Sequence, residues 1–196
     1  MPRLPERRRW HENALAGRAS AVNELRWPSL SVRVGARLWC DVAEGISLLR
    51  SGLAAYRATG AEVWVPHYVA LLAGACEIAG RIEESLTLLD EAFQVVERTG
   101  ERWFEAELHR HKGQLLVRQG QSEAAEELYL RALGIAVEQG AKLWELRSAV
   151  SLARLYADQR RPTEARDLVA PVYGWFTEGF DTPDLIDAKA LLDELS

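Results

Sequence analysis

A spacing of 40 residues constrains the fold of this chain more than any other feature of its sequence. Glycines lie 40 residues apart at Gly60, Gly100 and Gly140. An aromatic side chain follows each of them at the fourth position, at Trp64, Phe104 and Trp144. A fixed period of this length is typical of tandem units that bury their apolar faces against one another. The period therefore predicts a solenoid of helical hairpins.

The segment from Glu105 to Gly140 shows what one unit contains. Its first half has an apolar stripe at helical spacing, formed by Leu108, Leu115 and Leu116. Gly120 is free to adopt a left-handed conformation and is predicted to end this helix, and Ser122 is predicted to cap the next one. Small residues stand where the two helices would touch, at Gly113, Ala125 and Ala132. Because small residues let helix axes approach closely, the segment reads as an αα-hairpin.

This order of small, large and turn residues resembles the tetratricopeptide repeat. Gly113, Leu116, Gly120, Ala125, Tyr129 and Ala132 fall on that motif's small, large, turn, small, aromatic and small positions. The motif usually repeats at about 34 residues, so the extra residues are placed in longer helix ends. The predicted fold is all-α, a tetratricopeptide-like superhelix of αα-hairpins with a C-terminal capping helix.

The same pattern divides the chain into a leader and a repeat domain. The repeat domain is predicted at residues 39–196, with repeats at about 39–60 (partial), 61–100, 101–140 and 141–180 and a capping helix at 183–195. Residues 1–38 contain eight arginines and three glutamates, a net charge of +5, and match the motif poorly. We interpret them as a partly disordered leader or a degenerate helix. Either this leader or a second copy of the chain is expected to cover the incomplete first repeat, and the second case predicts a homodimer.

Composition excludes several classes of function. A net charge of −5 argues against nucleic-acid binding. No apolar run approaches the roughly 18 residues of a membrane span. The two cysteines, Cys40 and Cys76, form neither a disulfide framework nor a metal motif, which favours a reducing cytoplasm.

No residues suggest catalysis, a cofactor or a metal, so we predict that the chain is not an enzyme. The one histidine cluster is His109-Arg110-His111, whose two histidines would point in different directions on a helix. Glu105 and His109 are four residues apart and are interpreted as a surface contact. Nothing in the chain matches the phosphate-binding motif of P-loop ATPases.

Three segments carry a more specific resemblance: GLAAYRATGAEVWVPHYVALLA (52–73), TGERWFEAELHRHKGQLL (99–116) and SLARLYADQRRPTEARDLVAPVYGWFTEGFDTPDLIDAKALLDEL (151–195). They resemble the carboxy-terminal tetratricopeptide region of bacterial multidomain signalling proteins that combine a class III adenylate or guanylate cyclase with an AAA-type ATPase. The resemblance implies the repeat fold and a regulatory, partner-binding role in signal transduction, and it carries no active site. It extends from about Gly45 to Ser196, so the chain is expected to be a fragment or a relative of such a regulator.

The concave groove is the candidate binding site, because the first helix of each repeat is expected to line it. The residues predicted on this surface are His67, Glu77, Glu107, Arg110, Gln114, Arg118, Arg147, Arg154 and Asp158. The four arginines form a basic ladder in an otherwise acidic chain, and their guanidinium forks would clamp an acidic peptide segment. Alternatively, they are solvated or pair with Glu107, Asp158 and neighbouring acids.

The tryptophans leave two interpretations open as well. Trp64, Trp103 and Trp144 stand at the starts of first helices and are interpreted as packing anchors between repeats. Trp175 and Phe176 near the last turn are a candidate interface patch. The leading functional hypothesis is a non-catalytic module that binds a protein segment, and the alternative is a small-ligand sensor domain that regulates an attached effector.

Overall fold

The computed structural model describes residues 42–196, and within that range it consists of helices and their connections without a strand. The helices are α1 (Val42–Ala58), α2 (Val65–Ile78), α3 (Ile82–Thr99), α4 (Glu105–Arg118), α5 (Ser122–Glu138), α6 (Lys142–Asp158), α7 (Pro162–Tyr173) and α8 (Pro183–Glu194). The predicted all-α class is confirmed for this part of the chain. The predictions for residues 1–38 lie outside the described residues.

The described residues divide into two compact units, residues 42–85 and 86–196. In the described part of the first unit, α1 packs against α2. The apolar stripe of α1 is buried, with Ile46, Leu49 and Leu53 each at most 6% exposed. The Ser85 hydroxyl donates a hydrogen bond to the Ala73 carbonyl at 2.8 Å and so satisfies a polar group that is fully buried.

The second unit contains the hairpins α4–α5 and α6–α7, and α8 packs against both α6 and α7. Its core joins the facing sides of α5 to α8, with Leu146, Leu152 and Val169 fully buried. The last helix adds Leu185, Ala188 and Leu191 to the same core. The core therefore continues from one hairpin to the next, as a repeat array requires.

The close approach of α4 and α5 depends on a glycine. A Cβ atom at Gly113 would lie 2.7 Å from Cε1 and 2.9 Å from Cδ1 of Tyr129, and 3.3 Å from the Ala125 carbonyl oxygen. Ala125 and Ala132 are fully buried. Gly113 and Ala125, two of the three small residues that the sequence predicts at this contact, therefore lie where the two helices meet.

A left-handed residue closes the turn of each hairpin in the second unit. Gly120 has φ +76°, and the amide of the next residue, Gln121, donates to the Leu116 carbonyl at 2.9 Å. Arg160 lies 40 residues after Gly120 and is also left-handed, with φ +63°. The amide of Arg161 then donates to Tyr156 at 2.8 Å, so the turn keeps its hydrogen bond although an arginine replaces the glycine.

Two local predictions need correction. Ser122 does not cap α5, because the helix begins at Ser122 itself and its N-cap, Gln121, makes no side-chain capping bond. The pair Glu105 and His109 is not a surface contact, because both side chains are less than 9% exposed, with Nε2 and Oε1 3.8 Å apart. The imidazole instead packs against the Phe93 ring, with the centroids 4.5 Å apart.

Burial makes His109 costly to protonate. Removal from water, which is the largest cause, and the charges of Arg131, Lys112 and Arg102 together lower its pKa to about 4. Neither ring nitrogen has a hydrogen-bond partner within the described residues. The folded protein therefore holds this imidazole in its neutral form at neutral pH.

We predict that replacing Gly113 by alanine destabilises the fold by about 1–3 kcal/mol, because the new methyl group overlaps the Tyr129 ring. Gly134→Ala is the matched control, since a Cβ at this other glycine within a helix meets nothing within 4 Å. The control is expected to gain up to about 1 kcal/mol from helix propensity. Urea unfolding measures both variants, and equal stabilities would contradict the close approach of α4 and α5.

We also predict that His109 makes stability depend on pH between its ordinary pKa and the lowered one. The unfolded chain binds the proton near pH 6.5 and the folded chain near pH 4, so stability is complete above pH 6.5 and falls as the pH decreases. By pH 5 the loss is about 2 kcal/mol.

The comparison of His109→Gln with His111→Gln tests this assignment, because both histidines lie on α4. Urea unfolding at pH 7.5, 6 and 5 is expected to show that His109→Gln loses less stability over this range than the native chain. His111→Gln gives the reference for the same change of side chain at another histidine of the same helix. An unchanged pH dependence in His109→Gln would show that another group causes it.

Candidate partner-binding groove

A cavity of about 200 Å³ opens between α4, α6 and α8. It is lined by Glu107, Arg110, Leu146, Arg147, Val150, Ser151, Arg154, Asp184 and Asp187. Leu146 and Val150 give it an apolar floor, and the remaining lining is polar or charged. Three of the four ladder arginines therefore meet in one place, supplied by the first helices of two successive hairpins.

Arg110 is the most buried of these arginines. Its Nε and Nη2 atoms donate to the two carboxylate oxygens of Glu107 at 2.9 and 2.7 Å, and Nη1 donates to Gln114 at 3.1 Å. Its side chain is 19% exposed and that of Glu107 is 12% exposed. Burial acts to lower the pKa of Arg110, but the hydrogen bonds and charge of Glu107 outweigh it and raise the pKa. This guanidinium is fixed in place and charged.

Arg147 connects the helices on either side of it. Its Nε and Nη2 atoms donate to the two carboxylate oxygens of Asp184 on α8 at 2.8 and 2.9 Å. Its Nη1 atom lies 3.6 Å from Glu107 on α4. The hydrogen bonds to Asp184 raise the pKa of Arg147 against the opposing effect of burial, and the charge of Glu107 adds to the increase.

Arg154 is held least. It pairs with Asp187 of α8, but its side chain is 53% exposed and that of Asp187 is 48% exposed. An ion pair this exposed contributes roughly 0–1 kcal/mol, because water screens the charges. Arg154 is therefore the guanidinium that an incoming group can reach at the lowest cost.

The cavity is electrically balanced. Three guanidinium groups face three carboxylates, those of Glu107, Asp184 and Asp187. In this structure Arg110, Arg147 and Arg154 each pair with an acidic side chain, which agrees with the second of the two interpretations of the ladder. The acids that hold them are Glu107 and the two aspartates of α8, whereas Asp158 does not line the cavity.

The other predicted groove residues lie elsewhere. Gln114 contacts the cavity through its hydrogen bond to Arg110. Arg118 and Asp158 are the last residues of α4 and α6 and are not among the cavity's lining. His67 and Glu77 belong to α2 in the first unit, where burial lowers the pKa of His67.

Sequence reasoning missed Ser151, Asp184 and Asp187. Ser151 donates to the Arg147 carbonyl at 2.9 Å and lies 3.5 Å from Nη1 of Arg110. A signal for Asp187 was present, because Glu107, Arg147 and Asp187 are successive members of the 40-residue register. If the period is extended into the capping helix, it predicts that Glu107, Arg147 and Asp187 occupy equivalent positions on successive helices.

Aromatic side chains connect the starts of α4 and α6. The rings of Trp103 and Phe104 lie 5.8 and 5.7 Å from that of Trp144, measured between centroids. This contact joins two successive hairpins, as expected of packing anchors. In the first unit, Trp64 has φ +70° and its ring lies 6.2 Å from that of His67.

The candidate interface patch is exposed at its tryptophan. Trp175 is 58% exposed, and its ring lies edge-on to Phe176 at 5.2 Å. Lys142 stands 5.9 Å from the centre of the Trp175 ring. The patch follows α7 and is formed by residues of the second unit alone.

Two further findings apply to residues 42–196. No group of histidine, cysteine and acidic side chains in that range is arranged to hold a metal ion. None of its helices combines the length and the apolar character needed to cross a membrane.

Comparison with known proteins identifies the repeat type. Residues 67–138 match the tetratricopeptide repeat family model. An uncharacterized protein of Rhizobium meliloti (strain 1021) is 34% identical over 115 residues, which is 58% of this chain and 11% of that protein. The chain therefore spans about a tenth of the length of this relative.

Solved structures share the fold at low identity. BtubC (BKLC) from P. vanneervenii is similar with a TM-score of 0.70 and 16% identity, over 86% of this chain and 77% of that one. A signal transduction ATPase with numerous domains from Pyrococcus horikoshii, which has a tetratricopeptide repeat sensor, is similar with a TM-score of 0.68 and 17% identity. That match covers 86% of this chain and 26% of the ATPase. Residues 67–138 are therefore similar to tetratricopeptide repeats, and residues 42–196 have a tetratricopeptide-like all-α fold.

Proposed function

We propose that the chain is a non-catalytic interaction module that binds an acidic segment of a partner protein in the cavity between α4, α6 and α8. Repeat folds of this type generally serve as binding scaffolds, because successive first helices build an extended concave surface. The observation that carries the proposal is the convergence of Arg110, Arg147 and Arg154 on one open cavity.

The chemistry of the cavity favours a carboxylate-bearing segment. Guanidinium groups present paired donors that match the two oxygens of a carboxylate. Arg110 is already oriented by Glu107, so little of its side-chain entropy remains to be lost on binding.

The wider context supports a regulatory role. The relative from Rhizobium meliloti is much longer than this chain, and the similar protein from Pyrococcus horikoshii is an ATPase that carries its repeats as a sensor. We propose that this chain corresponds to such a regulatory region, in a bacterial signalling protein of the cyclase and ATPase type. Cys76 is a buried free thiol, which suits a reducing cytoplasm.

A small-ligand sensor is the alternative, and the sensor of the Pyrococcus horikoshii ATPase favours it. A cavity of about 200 Å³ would hold only a small molecule. Its lining has two apolar residues among nine, so such a ligand would be charged rather than apolar. A homodimer through the first repeat stays a prediction, because the residues that would cover that repeat lie outside the described range.

Charge reversal tests the proposed groove. Hexaglutamate labelled with a fluorophore is the probe, and its binding is measured by fluorescence anisotropy with hexaglutamine as the neutral comparison. Arg154→Glu is expected to weaken hexaglutamate binding about tenfold, because it replaces an attraction by a repulsion at the cavity.

Arg131→Glu is the matched control, since it makes the same change in net charge at an exposed position of α5 outside the cavity lining. It is expected to change the affinity by less than about twofold at 0.15 M salt, because Arg131 does not line the cavity and water and salt screen an exposed charge. Equal losses in the two variants would show that net charge, and not the cavity, governs binding. Circular dichroism melts verify that both variants fold.

A further inference from the structure

The last helix supplies the acids that occupy two of the three cavity arginines. Asp184 accepts two hydrogen bonds from Arg147, at 2.8 and 2.9 Å, and Asp187 accepts one from Arg154. The two aspartates are three residues apart and therefore lie on one face of α8. Both line the cavity, so this face of α8 presents carboxylates to the arginines that the proposed partner would use.

Apolar contacts attach α8 to the fold in addition to the two aspartates. The helix buries Leu185, Ala188 and Leu191, which are at most 5% exposed and belong to the core of the second unit. The ion pair between Lys189 and Asp193 lies within α8 itself, and both side chains are at least 60% exposed, so this pair does not join α8 to another helix. The apolar face anchors α8, which leaves Asp184 and Asp187 free to exchange their partners without detachment of the helix.

We propose that Asp184 and Asp187 are a built-in competitor for the acidic partner, so that α8 lowers the affinity of the groove in the resting protein. This inference rests on the proposed function of the same cavity. An incoming carboxylate must displace an aspartate from its guanidinium. The free energy gained on binding is therefore only the difference between the new contact and the contact that is lost. Partner segments with several acidic groups are therefore selected over those with one.

The exposure of the pairs sets the order of exchange. Arg154 and Asp187 are about half exposed, so their pair opens first. Arg147 and Asp184 are 34% and 27% exposed and share two hydrogen bonds, so they open second. The pair of Arg110 and Glu107 is formed within α4 and is the most buried, so it stays closed and acts as a fixed wall of the site.

Neutralising the competitor is expected to tighten binding. Asp187→Asn should increase the affinity for labelled hexaglutamate about two- to fivefold, because an exposed ion pair no longer has to be broken. The double variant Asp184→Asn with Asp187→Asn should increase it about tenfold or more, since the charge-assisted pair at Arg147 is released as well. Asp193→Asn is the matched control, with the same charge change on the exposed side of the same helix.

A second arm separates competition from a general change of charge. In an Arg154→Gln background, Asp187→Asn has no guanidinium to release and should give no more gain than Asp193→Asn. Fluorescence anisotropy measures all variants at 0.15 M salt, after circular dichroism melts show that each one folds. Asp187→Asn alone provides the test if the double variant does not fold, because its ion pair is exposed and its loss costs little stability.

The outcomes distinguish this inference from the proposed function. The competitor proposal is supported if Asp187→Asn binds hexaglutamate more tightly and this gain requires Arg154. It is also supported if only the neutralised variants bind and their binding requires Arg154. If the native chain binds through Arg154 but Asp187→Asn binds equally or more weakly, the proposed competitor role of the aspartates is wrong. The proposed binding of an acidic segment in the cavity is then still supported. If no variant binds hexaglutamate, or if Arg154→Glu and Arg131→Glu lose affinity equally, the proposed function fails and the competitor fails with it.

Discussion

The contact between Gly113 and Tyr129 is the constraint on which the site depends. The absence of a side chain at Gly113 lets the Tyr129 ring lie where a Cβ atom would be 2.7 Å from it. This approach fixes α4 against α5, and α5 in turn packs against α6. Because α4 also contacts α6, and α6 contacts α8, side chains one period apart become neighbours across three helices. The cavity is a consequence of this spacing.

The electrostatics of the groove follow from the same arrangement. The chain is acidic overall, yet the cavity presents three guanidinium groups against three carboxylates. The burial of the pairs decreases from Arg110 through Arg147 to Arg154, and the strength with which each arginine is held decreases in the same order. The three arginines of the ladder therefore differ in how firmly an acidic side chain holds each of them. The proposed partner meets the most available arginine at the exposed end of this set.

Much of the fold could be predicted from the sequence, because its signals are local and periodic. Gly120 predicts its own left-handed turn, and in the structure Arg160, which lies one period later, has the same conformation. Arg110, Arg147 and Arg154 could be assigned to one surface, since each faces the same way on the first helix of a hairpin. The pairing acids could not be assigned as readily, because Asp184 also fits the first turn of α8, where an acidic residue stabilises the helix dipole.

Burial was the property that sequence patterns represented least well. Glu105 and His109 have the spacing of a surface pair, but the packing of Phe93 against the imidazole places both in the interior. Ser122 has the composition of an N-cap, but the helix begins one residue earlier than that role requires. For Glu105 and His109 the contact with a neighbouring helix decides the outcome, and this contact is not encoded in the spacing of the two residues.

The most direct test of the account is a double-mutant cycle between Arg147 and Asp184, measured as free energies of unfolding in urea. The account predicts a coupling of about 1 kcal/mol between Arg147→Gln and Asp184→Asn, because the pair shares two hydrogen bonds and is partly buried. The exposed pair of Lys189 and Asp193 serves as the reference cycle, with an expected coupling of at most about 0.5 kcal/mol. A coupling of zero within error for Arg147 and Asp184 would contradict the central claim that α6 and α8 are joined by ion pairs that shape the groove.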